Sequence, residues 1–105
     1  MASKTGFLHM VYFWVREGGS EEDADAILQG CHRYLANIPG ALRMEAGKPA
    51  GTPRGVVDNS YAVGLLVEFP DEAAHEVYQD HPDHLAFIAA CSPHWSRVQV
   101  YDTLI

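Results

Sequence analysis

The sequence predicts an α+β fold, in which a four-stranded antiparallel sheet carries its helices on one face. Apolar residues alternate with a period of two in four segments, and they recur at helical spacing in the segments between them. The order of these segments is strand, helix, strand, strand, helix, strand. That order is the split βαβ pattern of ferredoxin-like folds.

The length and the net charge of the chain limit the number of domains and the kinds of partner that we expect. The chain has 105 residues, which is enough for one domain with one core, and we expect a single domain over residues 1–105. Seven basic residues against fourteen acidic ones give a formal net charge of −7. This charge argues against nucleic acid and against an anionic membrane as partners. A neutral or weakly polar small molecule is the more natural ligand.

The two cysteines and the N-terminal apolar run have simple interpretations. Cys31 and Cys91 lie in helix-like segments without the spacing of a disulfide framework, so we expect buried, reduced thiols.

The apolar run at residues 7–15 contains His9 and is too short to cross a bilayer. It also lacks the cleavage site of a signal peptide, so we expect a cytoplasmic protein.

The first strand is predicted at residues 7–15, where aromatic and β-branched residues predominate. Side chains alternate between the two faces of a strand, and here both faces are apolar. One face carries Phe7, His9, Val11, Phe13 and Val15. The other face carries Leu8, Met10, Tyr12 and Trp14. Because helices cover only one face of the predicted sheet, we expect the second face to pack against another copy of the chain.

The first helix is predicted to begin after Ser20, which together with Asp23 three residues later is typical of a helix N-cap. The apolar residues that follow form one helical stripe, which ends at Pro39. They are Ala24, Ile27, Leu28, Cys31, Leu35 and Ile38. A short strand with one solvent-exposed face is then predicted at residues 41–47.

The middle of the chain is predicted to be a loop followed by a strand. Residues 48–60 concentrate proline and glycine, and we expect them to be the most mobile internal segment. A strand is predicted at residues 61–69. One of its faces carries Tyr61, Val63, Leu65, Val67 and Phe69.

The second helical region is predicted to begin after Asp71 and to be interrupted at Pro82. Its apolar stripe includes Ala74, Val77 and Tyr78. His75 lies off this stripe, and we expect it to be exposed. A second helical piece runs to residues 92–93, and the last strand is predicted at residues 97–103.

The candidate chemistry lies at residues 77–84, where Tyr78, His81 and His84 occur at a break between helices. A phenol close to an imidazole that titrates near neutrality can support general acid–base catalysis. Each histidine also has a structural interpretation, because an imidazole beside a helix-breaking proline can cap a helix or bond a backbone carbonyl.

A metal site is an alternative for the same stretch. His81 and His84 together with Asp80 or Asp83 supply at most three ligands, and no partner that would orient them is visible in the sequence. We therefore predict neither a metal nor another cofactor.

A larger set of residues follows the pattern of a known family. The set comprises His9, Val11, Phe13, Ile38-Pro39-Gly40, Gly47, Phe69, Tyr78 and His81-Pro82-Asp83-His84. In this order they resemble the stress-responsive dimeric α/β barrel (Dabb) family, over nearly the whole chain. The resemblance implies a ferredoxin-like fold, a homodimer whose two sheets form a barrel, and a small apolar cavity in each subunit.

Within that family the chain is similar to the plant polyketide cyclases that make olivetolic acid. The resemblance implies that Tyr78 and His84 match a tyrosine and a histidine that act there on a linear polyketide. It also implies that His9 matches a cavity histidine, whereas a second cavity histidine is replaced by Val63. The residues that it implies for substrate binding are His9, Val11, Phe13, Tyr61, Val63 and His81.

Two functions of different classes remain open. The first is a dimeric stress-responsive protein whose cavity binds a small carbonyl or aromatic, polyketide-like molecule without catalysis. The second is a cyclase or lyase, in which His84 removes an acidic proton next to a carbonyl while Tyr78 donates a hydrogen bond to the developing enolate. The replacement at Val63 favours the first function, and the presence of Tyr78, His84 and His9 together favours the second.

Overall fold

Four antiparallel strands form a sheet in the order β2-β3-β1-β4, and the helices cover one of its faces. The computed structural model describes residues 6–105. The strands and α-helices are β1 (Phe7–Val15), α1 (Glu21–Gly30), β2 (Arg43–Gly47), β3 (Val63–Phe69), α2 (Glu72–Asp80), α3 (Pro82–Cys91) and β4 (Trp95–Leu104). This is the predicted ferredoxin-like α+β fold.

Strand β1 lies at the centre of the sheet and alternates as predicted. Its helix-covered face carries the buried side chains of Phe7, His9, Val11 and Phe13. The side chains between them, on the other face, are only half buried. In the register, His9 lies opposite Val67 on β3 and opposite Asp102 on β4. The helix-covered face of the sheet therefore combines an apolar core with one buried histidine.

Helix α1 begins with the predicted cap. Ser20 and Asp23 form a reciprocal capping box, in which the Asp23 carboxylate accepts a hydrogen bond from the Ser20 backbone N–H at 2.9 Å. The helix continues into a π-helical turn at Cys31–Leu35. Most of the predicted stripe is buried in the core, namely Ala24, Ile27, Cys31, Leu35 and Ile38.

Helices α1 and α3 come very close at Gly30. A methyl group added at Gly30 would overlap the sulfur of Cys91, and it would also touch the ring of Phe87 at 3.5 Å. Both Cys31 and Cys91 are buried free thiols, as predicted. The packing of the two helices therefore depends on a residue without a side chain at position 30.

Three strands begin at residues other than those predicted. Strands β2 and β3 begin at Arg43 and Val63, two residues later than expected, and β4 begins at Trp95, two residues earlier. The prediction that Tyr61 shares a face with Val63 is wrong, because its ring packs 4.9 Å from that of Tyr12 on the face without helices. No helix or strand is assigned between residues 48 and 62, and the mobility of that loop stays a prediction.

Helix α2 buries a different face from the one that its apolar stripe predicted. Asp71 caps it as expected and accepts a hydrogen bond from the Ala74 N–H at 2.8 Å. However, His75 is buried with only 8% of its surface exposed, whereas Val77 is 62% exposed. Residues three apart share a helix face, so His75 and Tyr78 point together toward the sheet while Val77 points away. The expectations for His75 and Val77 were therefore wrong.

His81 separates α2 from α3. Its backbone is extended, as the residue before a proline prefers, and Pro82 is the first residue of α3. The His81 Nδ1 accepts a hydrogen bond from the Asp83 N–H at 3.0 Å. His81 is thus the N-cap of α3. Within residues 6–105 no helix combines the length and the apolar character needed to cross a membrane.

Candidate functional site

A cavity of about 260 Å³ lies between the sheet and helices α2 and α3. Its wall is mostly apolar and includes Val11, Phe13, Leu65, Phe87, Val98 and Val100. Its polar side chains are His9, Tyr78, Gln79 and His84. The strands bring these residues together because directly paired residues of β1 and β4, such as Val11 and Val100, lie on the same face.

Tyr78 lines the cavity and is fully buried. Its ring packs edge-to-face with Phe69 at 5.0 Å and with His9 at 5.8 Å, which fixes its orientation. The hydroxyl oxygen is buried and has no hydrogen-bond partner among the described residues. Desolvation raises the pKa of Tyr78 well above its usual value, so the phenol is neutral and able to donate a hydrogen bond.

His84 lies in the first turn of α3, with its ring centroid 4.8 Å from that of Tyr78. Its Nδ1 is buried and has no partner within the described part of the chain. Burial lowers the pKa of His84, and the neighbouring His9 and His75 lower it further. At neutral pH the imidazole is therefore uncharged, which is the form that can accept a proton.

His9 is paired with a residue that sequence analysis did not single out. The His9 Nδ1 lies 2.6 Å from the Asp102 Oδ1, across the β1–β4 pair. His9 is buried, whereas the Asp102 side chain is 37% exposed. The alternation of Val98, Val100 and Asp102 along β4 is visible in the sequence, but the register that places Asp102 opposite His9 is not.

His75 packs against the ring of His9. Its ring stacks on Phe7 at 4.4 Å, and its centroid is 4.7 Å from that of His9. The Nε2 of His75 is buried and unpartnered within residues 6–105. Desolvation is the main reason that the pKa of His75 is lowered, and the charge of His9 adds to this effect. His75 does not line the cavity but faces a groove on the other side of His9.

The structure brings together five of the eight residues suggested for a site. His9, Val11, Phe13, Tyr78 and His84 line one cavity.

The other three lie elsewhere. Tyr61 contacts Tyr12 on the opposite face of the sheet, Val63 is buried in the core, and His81 caps α3. The roles of all eight in binding or catalysis stay predictions.

The structure groups potential metal ligands at a different place from the stretch around His81 and His84 that the sequence suggested. Among the described residues, the ligand atoms of His9, His75 and Asp102 all lie within 4.8 Å of one another. The group contains neither His81 nor His84. Two imidazoles and a carboxylate are a chemically suitable set for a transition metal.

A family model matches most of the chain. The model, described as the Stress Responsive A/B Barrel Domain, Dabb, matches residues 7–105. Comparison with the curated proteins finds no match.

Solved structures share the fold over nearly their whole length. A Dabb family protein with a ferredoxin-like fold from Mesorhizobium loti is 27% identical, with a TM-score of 0.76 over 95% of this chain and 96% of that chain. A dimeric ferredoxin-like protein of unknown function from Thermobifida fusca is 19% identical, with a TM-score of 0.79 over 100% and 95%. A hydroxynitrile lyase from Passiflora edulis is 16% identical, with a TM-score of 0.79 over 98% and 95%.

Proposed function

The chain belongs to the stress-responsive A/B barrel domain (Dabb) family, and on that premise we propose that it is a dimeric protein whose cavity binds a small apolar molecule carrying a carbonyl group. The observation that carries this proposal is the Tyr78 hydroxyl, a neutral donor that has no partner within residues 6–105 and that belongs to a mostly apolar cavity. A role in a stress response and a cytoplasmic location are part of the proposal.

The chemistry of the cavity favours a carbonyl ligand. A buried hydroxyl without a partner costs roughly 1–3 kcal/mol of stability, and a ligand oxygen that accepts its hydrogen bond would recover part of that cost. The walls of Val11, Phe13 and Phe87 suit an apolar body. A cavity of about 260 Å³ restricts the body to a small ring or a short chain.

The second part of the proposal is a homodimer that packs sheet against sheet. Leu8, Met10, Tyr12 and Trp14 lie on the face that no helix covers, and they are half buried in one chain. The rings of Tyr61 and Tyr101 pack against Tyr12 there, at 4.9 and 6.3 Å. Aromatic residues are enriched at protein interfaces. The Thermobifida fusca neighbour, which shares this fold, is described as dimeric.

Acetophenone and ethylbenzene test the binding proposal, because both are small aromatic molecules and only the first has a carbonyl. Binding is measured by titration calorimetry or by NMR shift changes. We expect the protein to bind acetophenone more tightly than ethylbenzene. Tyr78→Phe should weaken acetophenone binding by about 2- to 10-fold, the value of one hydrogen bond of roughly 1 kcal/mol, and leave ethylbenzene binding unchanged.

A blocked cavity provides the control. Val98→Trp fills the cavity wall and should abolish binding of both compounds, whereas Val77→Trp places the same ring on the exposed face of α2. Equal binding by the wild type and by Val98→Trp would show that the cavity is not the binding site.

A second candidate function is proton transfer by a cyclase- or lyase-type enzyme, as in the cyclases of olivetolic acid. It is favoured by the uncharged His84 imidazole, which lies beside Tyr78 and whose Nδ1 has no partner among the described residues. In this reaction His84 takes a proton from the carbon next to a carbonyl. The electron pair of that C–H bond moves toward the carbonyl oxygen, which accepts a hydrogen bond from Tyr78.

Deuterium exchange tests the second function without knowledge of the substrate. In D₂O, the proton that His84 removes would exchange with deuterium from the solvent. The methyl group of acetophenone should therefore become deuterated faster than in the same D₂O buffer without the protein. His84→Ala should lower this rate by roughly two to four powers of ten, as expected for loss of a general base. Tyr78→Phe should cost less, and the exposed His32→Ala should cost nothing. If His84→Ala exchanges as fast as the wild type, the protein is not this kind of enzyme.

A further inference from the structure

We propose that His9, His75 and Asp102 form a binding site for a divalent transition metal ion of the zinc type. The site goes beyond the proposed function and lies on the side of His9 that faces away from the cavity. It would be reached through an acidic groove between α2 and β4.

Three separate elements bring the ligands together. His9 comes from β1, His75 from α2 and Asp102 from β4, and their ligand atoms all lie within 4.8 Å of one another. Two imidazoles and one carboxylate are a recurrent ligand set for zinc and for non-haem iron. Because strand β1 and helix α2 are packed into the core, two of the three ligands are held before any ion binds.

His75 provides an independent indication of a ligand. It is more than nine-tenths buried, and its Nε2 has no hydrogen-bond partner within residues 6–105. Stacking on Phe7 at 4.4 Å holds the ring against His9. An unpartnered polar atom in such a place costs stability, and coordination would remove that cost.

The groove outside these residues favours a cation. His75 and Asp102 form part of its wall, together with Glu72, Glu76 and Asp80. The described groove contains no lysine or arginine in its wall, and the whole chain carries a formal charge of −7. Negative charge concentrated in a cleft raises the local concentration of cations and speeds their entry.

Binding requires one local rearrangement. In the structure the His9 Nδ1 and the Asp102 Oδ1 are hydrogen-bonded at 2.6 Å, and metal ligands of this kind lie about 2.0–2.2 Å from zinc. The buried imidazoles of His9 and His75 have little room to move. The Asp102 side chain is 37% exposed, so it can rotate to admit the ion.

The ligand set also selects the metal. Imidazole nitrogen prefers Zn²⁺, Co²⁺ and Ni²⁺, whereas Mg²⁺ and Ca²⁺ prefer oxygen ligands. With three protein ligands, a tetrahedral ion keeps one open position for water or another small molecule.

Direct metal titration tests the proposal. The full chain, freed of metals with a chelator, is titrated with Zn²⁺ in competition with a chromophoric chelator, and Co²⁺ binding is followed by its visible absorption. We expect one ion per chain and no comparable affinity for Mg²⁺. His75→Phe keeps the stack on Phe7, and Asp102→Asn keeps the shape of the carboxylate. Each should weaken Zn²⁺ binding at least about tenfold, the effect reported even for residues that only orient metal ligands.

Two matched variants separate this site from other histidines. His32→Gln removes an exposed imidazole, and His84→Ala removes the cavity imidazole, so both should bind Zn²⁺ like the wild type. Near-ultraviolet circular dichroism verifies that each variant is folded. If the wild type takes up no Zn²⁺, or if folded His75→Phe binds it as tightly, His9 and Asp102 form only a hydrogen-bonded pair. Ketone binding and exchange are measured in the presence of the chelator, so their failure is distinct from failure of the metal site.

Discussion

The rings of Tyr78 and His84 meet at 63° with their centroids 4.8 Å apart, and yet the Tyr78 hydroxyl and the His84 Nδ1 bond to no other group within residues 6–105. Buried polar groups are normally hydrogen-bonded, so two unpartnered atoms beside one cavity are unusual. Such a pair lowers stability in the free protein, and a ligand that reached these two atoms and bonded to them would recover part of that cost.

Tyr78→Phe should therefore stabilise the protein while weakening its selectivity for ketones. The substitution removes a buried hydroxyl that has no partner in the described part of the chain, and we expect the free energy of unfolding to rise by about 1 kcal/mol. Urea unfolding at neutral pH measures the change. Tyr34→Phe, which removes the hydroxyl of a half-buried tyrosine, should have little effect. A less stable Tyr78→Phe would show that the hydroxyl is already satisfied in the free protein.

Gly30→Ala should destabilise the packing of α1 on α3. Alanine favours a helix over glycine by about 1 kcal/mol, but the new methyl group would overlap the Cys91 sulfur. Overpacking of this kind costs about 1–3 kcal/mol, so the net change should be unfavourable. Thermal unfolding measures it. In a Cys91→Ala background the loss should disappear, and Gly55→Ala, where the new methyl has open space, should show none.

Asp23→Asn should remove a stabilising effect that depends on pH. The Asp23 carboxylate accepts hydrogen bonds from Ser20 and Arg16 and lies 2.9 Å from the His94 Nδ1. The bond with His94 is the main reason that the pKa of Asp23 falls from 3.8 to about 2.

Because the folded protein lowers this pKa, the stabilisation is complete above pH 3.8 and is lost as the pH falls toward 2. Urea midpoints of the wild type and Asp23→Asn should differ at pH 6 and converge near pH 2. A difference that persists unchanged at pH 2 would contradict this assignment. Glu22→Gln removes an exposed carboxylate in the same turn and is the control.

Met10→Asp should dissociate the proposed dimer. Met10 lies at the centre of the face without helices, and a charge buried there between two sheets would lack a partner. Sedimentation equilibrium at micromolar concentration should give a dimer for the wild type and a monomer for the variant. Val77→Asp, on the exposed face of α2, should remain dimeric. A monomeric wild type would refute the sheet-to-sheet dimer.

Much of the fold was predictable because the strands alternate strongly. The buried face of β1 and the cap at Ser20 and Asp23 follow from local patterns that tertiary structure did not change. The sequence did not predict which face of α2 packs on the sheet. The helix has only nine residues and few apolar positions, and the exposed Val77 looks like a core residue. A short helix can rotate to bury His75 when Phe7 offers it a stacking partner.

The candidate site was predictable only in part, for a similar reason. His9, Tyr78 and His84 lie on faces that the sequence pattern and the family resemblance identify. Asp102 reaches His9 through a strand pairing that joins residues 93 positions apart, and no local pattern encodes such a register. His81 had both a structural and a binding interpretation, and its bond to the Asp83 N–H places it as a helix cap.

The position of β1 between β3 and β4 has a consequence for synthesis in the cell. Strand β4 follows every other described element in the chain, so β1 keeps one unpaired edge until the ribosome has released residues 95–104. During that interval an aromatic strand with two apolar faces is open to pairing with a neighbouring nascent chain. Translation that stalls before β4 would therefore leave an aggregation-prone intermediate in which His9 has not yet met Asp102.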